Sequence, residues 1–386
     1  MMSLLFGMGC IPLLFDSIRI GRGAWYGLIG AGIMTFAPIQ IDFCIQARPY
    51  TLIAFEGLLI AVTLLRIERD ETSARRLVAL GIFIAAIVLT HYFAIGIVLA
   101  AMIYALVRFG GATRARTLGT IMLAAGIAGA IWAPEAWNNR GAFHNALGVF
   151  QFTPTPLAST VDMAERLVLG QVEVMKWPAA IALAIMAYVL PPLDRRKIFW
   201  WLWTIFTIGI VLAVDLFRHS GLLQIGRYPF IAAPAVYAIL AMPLPGRIGR
   251  FVPLVILFGA VAFGIARCQQ GPALETASTF QIEDHRTAAK FLKSHLMPGD
   301  AVIIAADGDD PTFTYFAIEH YNGEWKTPIV LISTPLADKT RRQILEYQRV
   351  WVVGPSSADD IQRLLKGCPI AKLQESSICD SVWRIK

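Results

Sequence analysis

Ten apolar runs dominate the chain, over residues 1–15, 25–41, 50–65, 77–90, 93–107, 118–134, 178–193, 198–214, 228–244 and 251–267. Packed so closely, they leave too little polar surface to clothe a water-soluble core, and a bilayer is the solvent that accepts them. Several fall short of the ~20 residues that span a hydrocarbon layer. The pair 77–90 and 93–107, joined only by His91-Tyr92, reads equally well as one broken or bent helix pair. The expected fold is a polytopic α-helical membrane protein with about ten transmembrane helices. Composition agrees: 56% of the chain is hydrophobic and 16% charged, where soluble domains run nearer a quarter charged.

Charge is unevenly shared. Residues 1–267 hold 21 Lys/Arg against 12 Asp/Glu, and residues 268–386 hold 13 against 15. The basic excess therefore belongs to the apolar part, where it alternates from loop to loop. Arg19/Arg22, Arg66/Arg69/Arg75/Arg76, Arg108/Arg114/Arg116, Arg195/Arg196/Lys197 and Arg247/Arg250 place fourteen cations in five short loops. The alternate loops hold six, namely Arg48, Arg140, Arg166, Lys176, Arg218 and Arg227. Basic residues stay on the cytoplasmic side, so the first set is expected there and the second at the outer face. Spread over separate loops, they do not form the single basic face that nucleic acid needs.

The same alternation runs the first apolar segment from outside to inside, with Met1 outside. Such a start is awkward to insert without an upstream helix. A missing first helix is the simplest expectation, and a naturally N-out protein is the alternative.

The expected division is a membrane domain over 1–267, with a long external loop at 135–177, and an extracytoplasmic domain over 268–386. Within the second part the pattern predicts helices at His285–Leu296, Pro311–His320, Lys339–Tyr347 and Ala358–Lys366. Strands are predicted at Ala301–Ala306, Ile329–Ile332, Val350–Val353 and near Val382–Ile385. Strands alternating with helices indicate a small α/β domain. Cys10, Cys44 and Cys268 stand alone. Cys368 and Cys379 could pair in an oxidising compartment or be unrelated thiols.

Arg48 is the first functional candidate. It lies in Gln46-Ala47-Arg48-Pro49-Tyr50, a polar island between two apolar runs. A guanidinium stays charged and is costly at membrane depth. Pro49 disfavours helix at Arg48, which predicts a turn between two hairpin arms. An arginine at the mouth of such a hairpin is shaped to grip a phosphate through two N–H groups.

Three short motifs resemble one family. Gln-Ala-Arg-Pro-Tyr-Thr-Leu at 46–52 resembles the E-A-R-x-Y-x-L hairpin of the GT-C membrane glycosyltransferases, in particular the RgtA/B/C/D-like, protein-mannosyltransferase and ArnT-like group. Thr90-His91-Tyr92-Phe93 resembles the break between two short helices in that group. Gly226-Arg227-Tyr228-Pro229 followed by Pro234 resembles its R-Y helix start. The segments around Arg286–Asp300 and Arg349–Val353 look like its extracytoplasmic tail. The resemblance implies a multi-pass inner-membrane enzyme that moves a sugar from a polyprenyl-phosphate carrier to a lipid, glycan or protein acceptor at the outer face. The transfer would invert the anomeric centre, with an acidic residue in the first external loop as base. Gln46 departs from the family's Glu, and the first helix and its loop have no counterpart here, so the main base is expected outside this chain.

That chemistry asks for a carboxylate to take a proton, cations for the leaving phosphate and a dry groove for a lipid tail. Arg48 and Arg227, both at helix starts, are the phosphate candidates; interface snorkelling is the other explanation for each. Tyr50, Tyr92 and Tyr228 are expected beside them, as ligands or as aromatic-belt residues. His91 could bind a phosphate or sugar oxygen, ligate a metal, or be a hydrogen-bonded structural residue. Asp42, the one carboxylate in the Arg48 loop, could act as base, and pairing with Arg48 is favoured. Glu56, inside an apolar run, is expected to partner a basic residue facing the bundle. Glu135, after Pro134 at a helix exit, opens the long loop and could face substrate or solvent. Val161–Leu169 is amphipathic enough to lie along the membrane surface. Trp132, Trp137, Trp177, Trp200, Trp201 and Trp203 read as interface anchors. No resident cofactor is read, and a divalent metal is left open. The rival functions are a flippase or transporter for a lipid-linked saccharide, which would gather charge at a midplane cavity, and a catalytically inactive membrane scaffold.

Overall fold

A computed structural model describes residues 2–46, 48–70, 72–138, 195–218, 227–242, 248–269, 285–305, 315, 319, 327–332, 342–344, 346–353 and 382–384. It divides into two compact units, Met1–Ala273 and Leu274–Lys386. The predicted run 178–193, most of the long loop with Val161–Leu169 and Trp177, the helix Ala358–Lys366 and the pair Cys368/Cys379 lie outside the described residues.

The first unit is helical. Its elements are α1 (Met2–Arg22), α2 (Ala24–Phe36), α3 (Pro38–Ile45), α4 (Tyr50–Asp70), α5 (Ala74–Thr90), α6 (Ile95–Arg108), α7 (Gly111–Asn138), α8 (Ile198–Arg218), α9 (Arg227–Phe230), α10 (Ala233–Ala241) and α11 (Val252–Gln269). Among the described residues five helices are long and apolar enough to cross a membrane, namely α1, α4, α7, α8 and α11, or six if the bent pair α2 and α3 counts as one span. The chain is thus a multi-pass helical membrane protein. Several of the ten expected spans are shorter helices: α5 has 17 residues and α10 has 9.

Local chemistry explains the breaks. Gly23 links α1 to α2 at φ 95°, a left-handed conformation that costs glycine little. Ser73 caps α5 by accepting the Arg76 N–H at 3.3 Å. The apolar run 25–41 bends by 57° at Ala37. Pro38 is the cause, since it forces Ala37 into extended backbone and begins a new helix as its first residue. α11 closes over this bend. A Cβ added at Gly264 would lie 2.3 Å from the Phe36 carbonyl oxygen, the end of α2, so only glycine admits that approach. Gly264→Ala is expected to destabilise the unit by about 1–2 kcal/mol, because α11 is largely exposed and can shift outward. Thermal unfolding in detergent checks this; an unchanged midpoint would contradict it.

Opposite ends of the unit have opposite character. At one end, Asp16 pairs with Arg19 and Arg66, and the Arg76 guanidinium donates to the Arg66 carbonyl at 3.0 Å. Glu68 accepts from Arg108 and Tyr104, joining α4 to α6. This is the end of the basic loops. At the other end, the Ser3 hydroxyl donates to the Arg48 carbonyl at 3.1 Å, tying the start of α1 to the α3–α4 turn.

In the second unit, β1 (Asp300–Ala305), β2 (Ile329–Ile332), β3 (Arg349–Val353) and β4 (Val382–Arg384) form one sheet in the order β2-β1-β3-β4. β1 pairs parallel with β2 and β3, with Val302 opposite Ile329 and Trp351. β4 lies antiparallel to β3. The almost continuous apolar sequence of β1 suits a central strand covered on both faces. Helix α12 (His285–His295) packs Ala288, Ala289 and Leu292 on Val302, Ile304, Trp351 and Val353.

Candidate functional site at the hairpin end

The hairpin turn forms as its sequence requires. α3 stops at Ile45, the Arg48 N–H returns to the Gln46 carbonyl at 2.9 Å, and α4 starts at Tyr50. Arg48 itself is exposed, while Tyr50 is buried.

The second motif is a true break. α5 ends at Thr90, and His91 is extended at φ −163°, ψ 137°. Its Nδ1 accepts the Phe93 N–H at 3.1 Å, and its carbonyl accepts the Ala94 N–H at 3.0 Å. With Nδ1 occupied as acceptor, the proton of the neutral ring sits on Nε2, which makes that nitrogen a donor.

The third motif is the short helix α9. Tyr228 is 6% exposed. The turn after it is pinned by the Trp203 indole, which donates to the Ile231 carbonyl at 3.0 Å.

Aromatic rings join the three motifs in a closed circuit. Tyr50 lies 5.6 Å from His91, which stacks on Tyr92 at 4.5 Å and on Phe93 at 5.8 Å. Phe93 meets Tyr228 edge-on at 4.9 Å. From the same short helix Phe230 stacks on Phe43 at 4.4 Å, and Phe43 returns to Tyr50 at 5.6 Å. Aromatic pairs of this kind add about 0.5–1.5 kcal/mol each beyond their burial, so the circuit holds four chain segments in one arrangement. Tyr92 is 41% exposed at its edge. Phe43 and Phe230 escaped the sequence reading because their apolar surroundings mark them only as core.

The carboxylates behave differently from expectation. Asp42 pairs with Arg267 of α11, Nε at 2.7 Å and a terminal nitrogen at 2.6 Å, with side chains 8% and 2% exposed. The expected partner was Arg48. A cation at the end of an apolar run was the one available signal for Arg267. Among the described residues no basic side chain pairs with Glu56. It accepts from the Thr90 hydroxyl at 3.1 Å, and its second oxygen is buried without a hydrogen-bond partner. α7 runs through Pro134 to Asn138, so Glu135 lies exposed on its last turn, at the helix end as expected. Trp200 and Trp203 are fully buried and Trp201 is 9% exposed, so these three pack inside the bundle and are not belt residues. Trp137 is 68% exposed.

Two further oxygens on the hairpin, Gln46 Oε1 and Thr51 Oγ1, are also buried without a hydrogen-bond partner. Buried polar groups are normally satisfied. Gln46 and Thr51 flank Arg48 and Tyr50 in the chain, so hydrogen-bonding capacity is left open on the hairpin. Among the described residues no group of three or more His, Cys, Asp or Glu could hold a metal ion.

No family model matches the chain, nor does any curated protein. Among solved structures it is similar to arabinofuranosyltransferase AftD from Mycobacteria, in two cryo-EM classes of one mutant. The first has 17% identity and a TM-score of 0.45 and the second 16% and 0.39, each covering 91% of this chain and 29% of that one. The chain therefore spans less than a third of the length of these structures. A likeness at that level carries no functional weight.

Proposed function

We propose that the protein is a GT-C-like membrane glycosyltransferase, with about ten transmembrane helices, that moves a sugar from a polyprenyl-phosphate donor to an acceptor at the outer face of the bacterial inner membrane. The observation that carries this reading is the aromatic circuit, which draws Tyr50, His91, Phe93 and Tyr228, one or more from each motif, together at the end opposite the basic loops. Each motif contributes donors or charge to a phosphate leaving group. Arg48 and Arg227 supply cations, His91 a ring N–H donor, and Tyr50 and Tyr228 phenol hydroxyls. The unsatisfied oxygens of Gln46 and Thr51 suit sugar hydroxyls, which are donors.

Asp42 is assigned to fixing α3 on α11. A carboxylate committed to a buried guanidinium is badly placed to accept a substrate proton, so the base is sought elsewhere. The second unit is assigned to the same outer side as an extracytoplasmic α/β domain, in keeping with its lack of basic excess.

The test uses the full enzyme, with whatever segment supplies the base, in proteoliposomes with a polyprenyl-phosphate sugar. The wild type should release polyprenyl phosphate in step with sugar transfer. Arg227→Ala and Arg48→Ala should each lower turnover at least a hundredfold, about 2.7 kcal/mol of transition-state stabilisation, with unfolding midpoints unchanged. Full turnover in both variants removes these residues from the site. Passage of intact donor across the bilayer without transfer would favour the flippase instead.

A further inference from the structure

Glu56 is a buried acid that the proposed chemistry leaves unused. It lies in α4 six residues after Tyr50, about 9 Å further along the axis at the helical rise, and is 7% exposed. Its Oε1 lies 3.1 Å from the Thr90 hydroxyl oxygen, and its Oε2 is buried without a hydrogen-bond partner.

Among the described residues no cation stands opposite it. The helices packed closely on α4 are α1, α3, α5, α6 and α10. Their cations are Arg19, Arg22, Arg75, Arg76 and Arg108, all at the basic end of the unit. Of their carboxyls, Asp16 is paired with Arg19 and Arg66, and Asp42 with Arg267. Their other ionisable groups are Cys10, Cys44, Tyr104 and Tyr237. His91, which caps α5, spends its Nδ1 on the Phe93 N–H.

Thr90 decides the state of Glu56. Its hydroxyl lies 2.9 Å from the Ala86 carbonyl and 3.1 Å from Glu56 Oε1, yet it carries a single proton. The Ala86 carbonyl has no proton to give, and a helical threonine commonly bonds back one turn in this way. The Thr90 proton therefore goes to Ala86, and the Glu56 contact takes its proton from Glu56. An ionised Glu56 would compete with Ala86 for the Thr90 proton. It would also leave a charge in an apolar bundle with one oxygen wholly unmet, an arrangement that a buried carboxyl escapes by neutralising. A neutral acid leaves only a carbonyl oxygen open. It also brings one proton for one acceptor, where an amide would bring two.

We propose that Glu56 is a neutral carboxylic acid whose O–H donates to the Thr90 hydroxyl and so positions the end of α5 that carries His91. The functional part of this inference rests on the glycosyltransferase reading. A carboxylate below Tyr50 would repel a phosphate at the hairpin end, and a neutral acid does not. Glu56 is then a positioning residue and not the base.

The test records infrared spectra of the full chain in lipid at neutral pH, as the difference between wild type and Glu56→Gln. That difference should show the C=O stretch of a protonated carboxylic acid and no carboxylate bands. Thr90→Val should move the stretch without removing it. Carboxylate bands in the difference, or a stretch that ignores Thr90→Val, would overturn the proposal. Sugar transfer by the full enzyme gives a second readout. Glu56→Ala should lower turnover about tenfold, and Glu56→Gln, which keeps a donor for Thr90, should recover most of the loss. Glu56→Gln as impaired as Glu56→Ala would overturn the positioning role, by making the carboxyl itself a reactant. Should Glu56→Ala fail to fold, Glu56→Gln and Thr90→Val still decide the outcome. A wild type that transfers no sugar would sink the glycosyltransferase reading, while the infrared band would still settle the proton on Glu56.

Discussion

Arg267→Ala is expected to destabilise the membrane unit by about 3–5 kcal/mol, the cost of leaving a buried carboxylate without its counter-charge. Asp42 and Arg267 are 225 residues apart in the chain and almost wholly buried. Their pair is one of the contacts by which α11 holds the bent pair α2 and α3, alongside the approach of Gly264 to Phe36 and of Leu257 to Gly32. Because α3 carries Phe43, loosening it would also open the aromatic circuit at Phe43–Tyr50 and Phe43–Phe230. Asp42→Ala should cost a similar amount. The double replacement Asp42→Leu with Arg267→Met should recover most of the loss, since paired burial of apolar side chains needs no charge compensation. A thermal double-mutant cycle in detergent measures this. Single variants that cost less than about 1 kcal/mol would show the pair to be solvated or dispensable.

Asp300→Ala is expected to cost the second unit about 2–3 kcal/mol, through a different balance of terms. The Asp300 side chain is 1% exposed and accepts four hydrogen bonds. Arg349 donates to both oxygens at 2.9 and 2.8 Å, the Met297 N–H at 2.9 Å and the Trp351 indole at 3.1 Å. Arg349 is partly solvated and can return to water, so the larger loss comes from the indole and backbone donors left buried. Burial alone would raise the Asp300 carboxyl, yet Arg349, the Met297 N–H and the Trp351 indole outweigh it and hold the group below its ordinary value.

The sign follows from that direction. A carboxyl lowered by folding stabilises fully above its unfolded value of about 3.9 and loses that contribution as pH falls through its folded value. The difference between wild type and Asp300→Ala should therefore be constant near neutrality and shrink below about pH 4. Hydrogen exchange at β1 and β3 amides in the full chain reads it. A difference that persists unchanged in acid would assign the effect to packing alone.

Much of the architecture was legible because it depends on near neighbours. The break at His91, the hairpin at Pro49 and the strands at Ile329–Ile332 and Arg349–Val353 each follow from a proline, a capping side chain or a β-branched run. The three motifs were legible one by one, and the ring contacts of Tyr50, His91, Phe93 and Tyr228 bring them together. Partners were not. Asp42 was matched to its neighbour Arg48 and pairs with Arg267. Glu56 was matched to a cation and meets Thr90. Lys197 and Trp201 were placed in water and at the interface, and both are buried.

Hydrophobic pattern by itself determined that the chain crosses a membrane several times. It did so because transfer of apolar surface acts on each segment independently. Tertiary structure alone decided which charges are compensated and which donors are left open. A buried ion pair or an unmet N–H is defined by what lies opposite it, and that is set by packing between helices far apart in the chain.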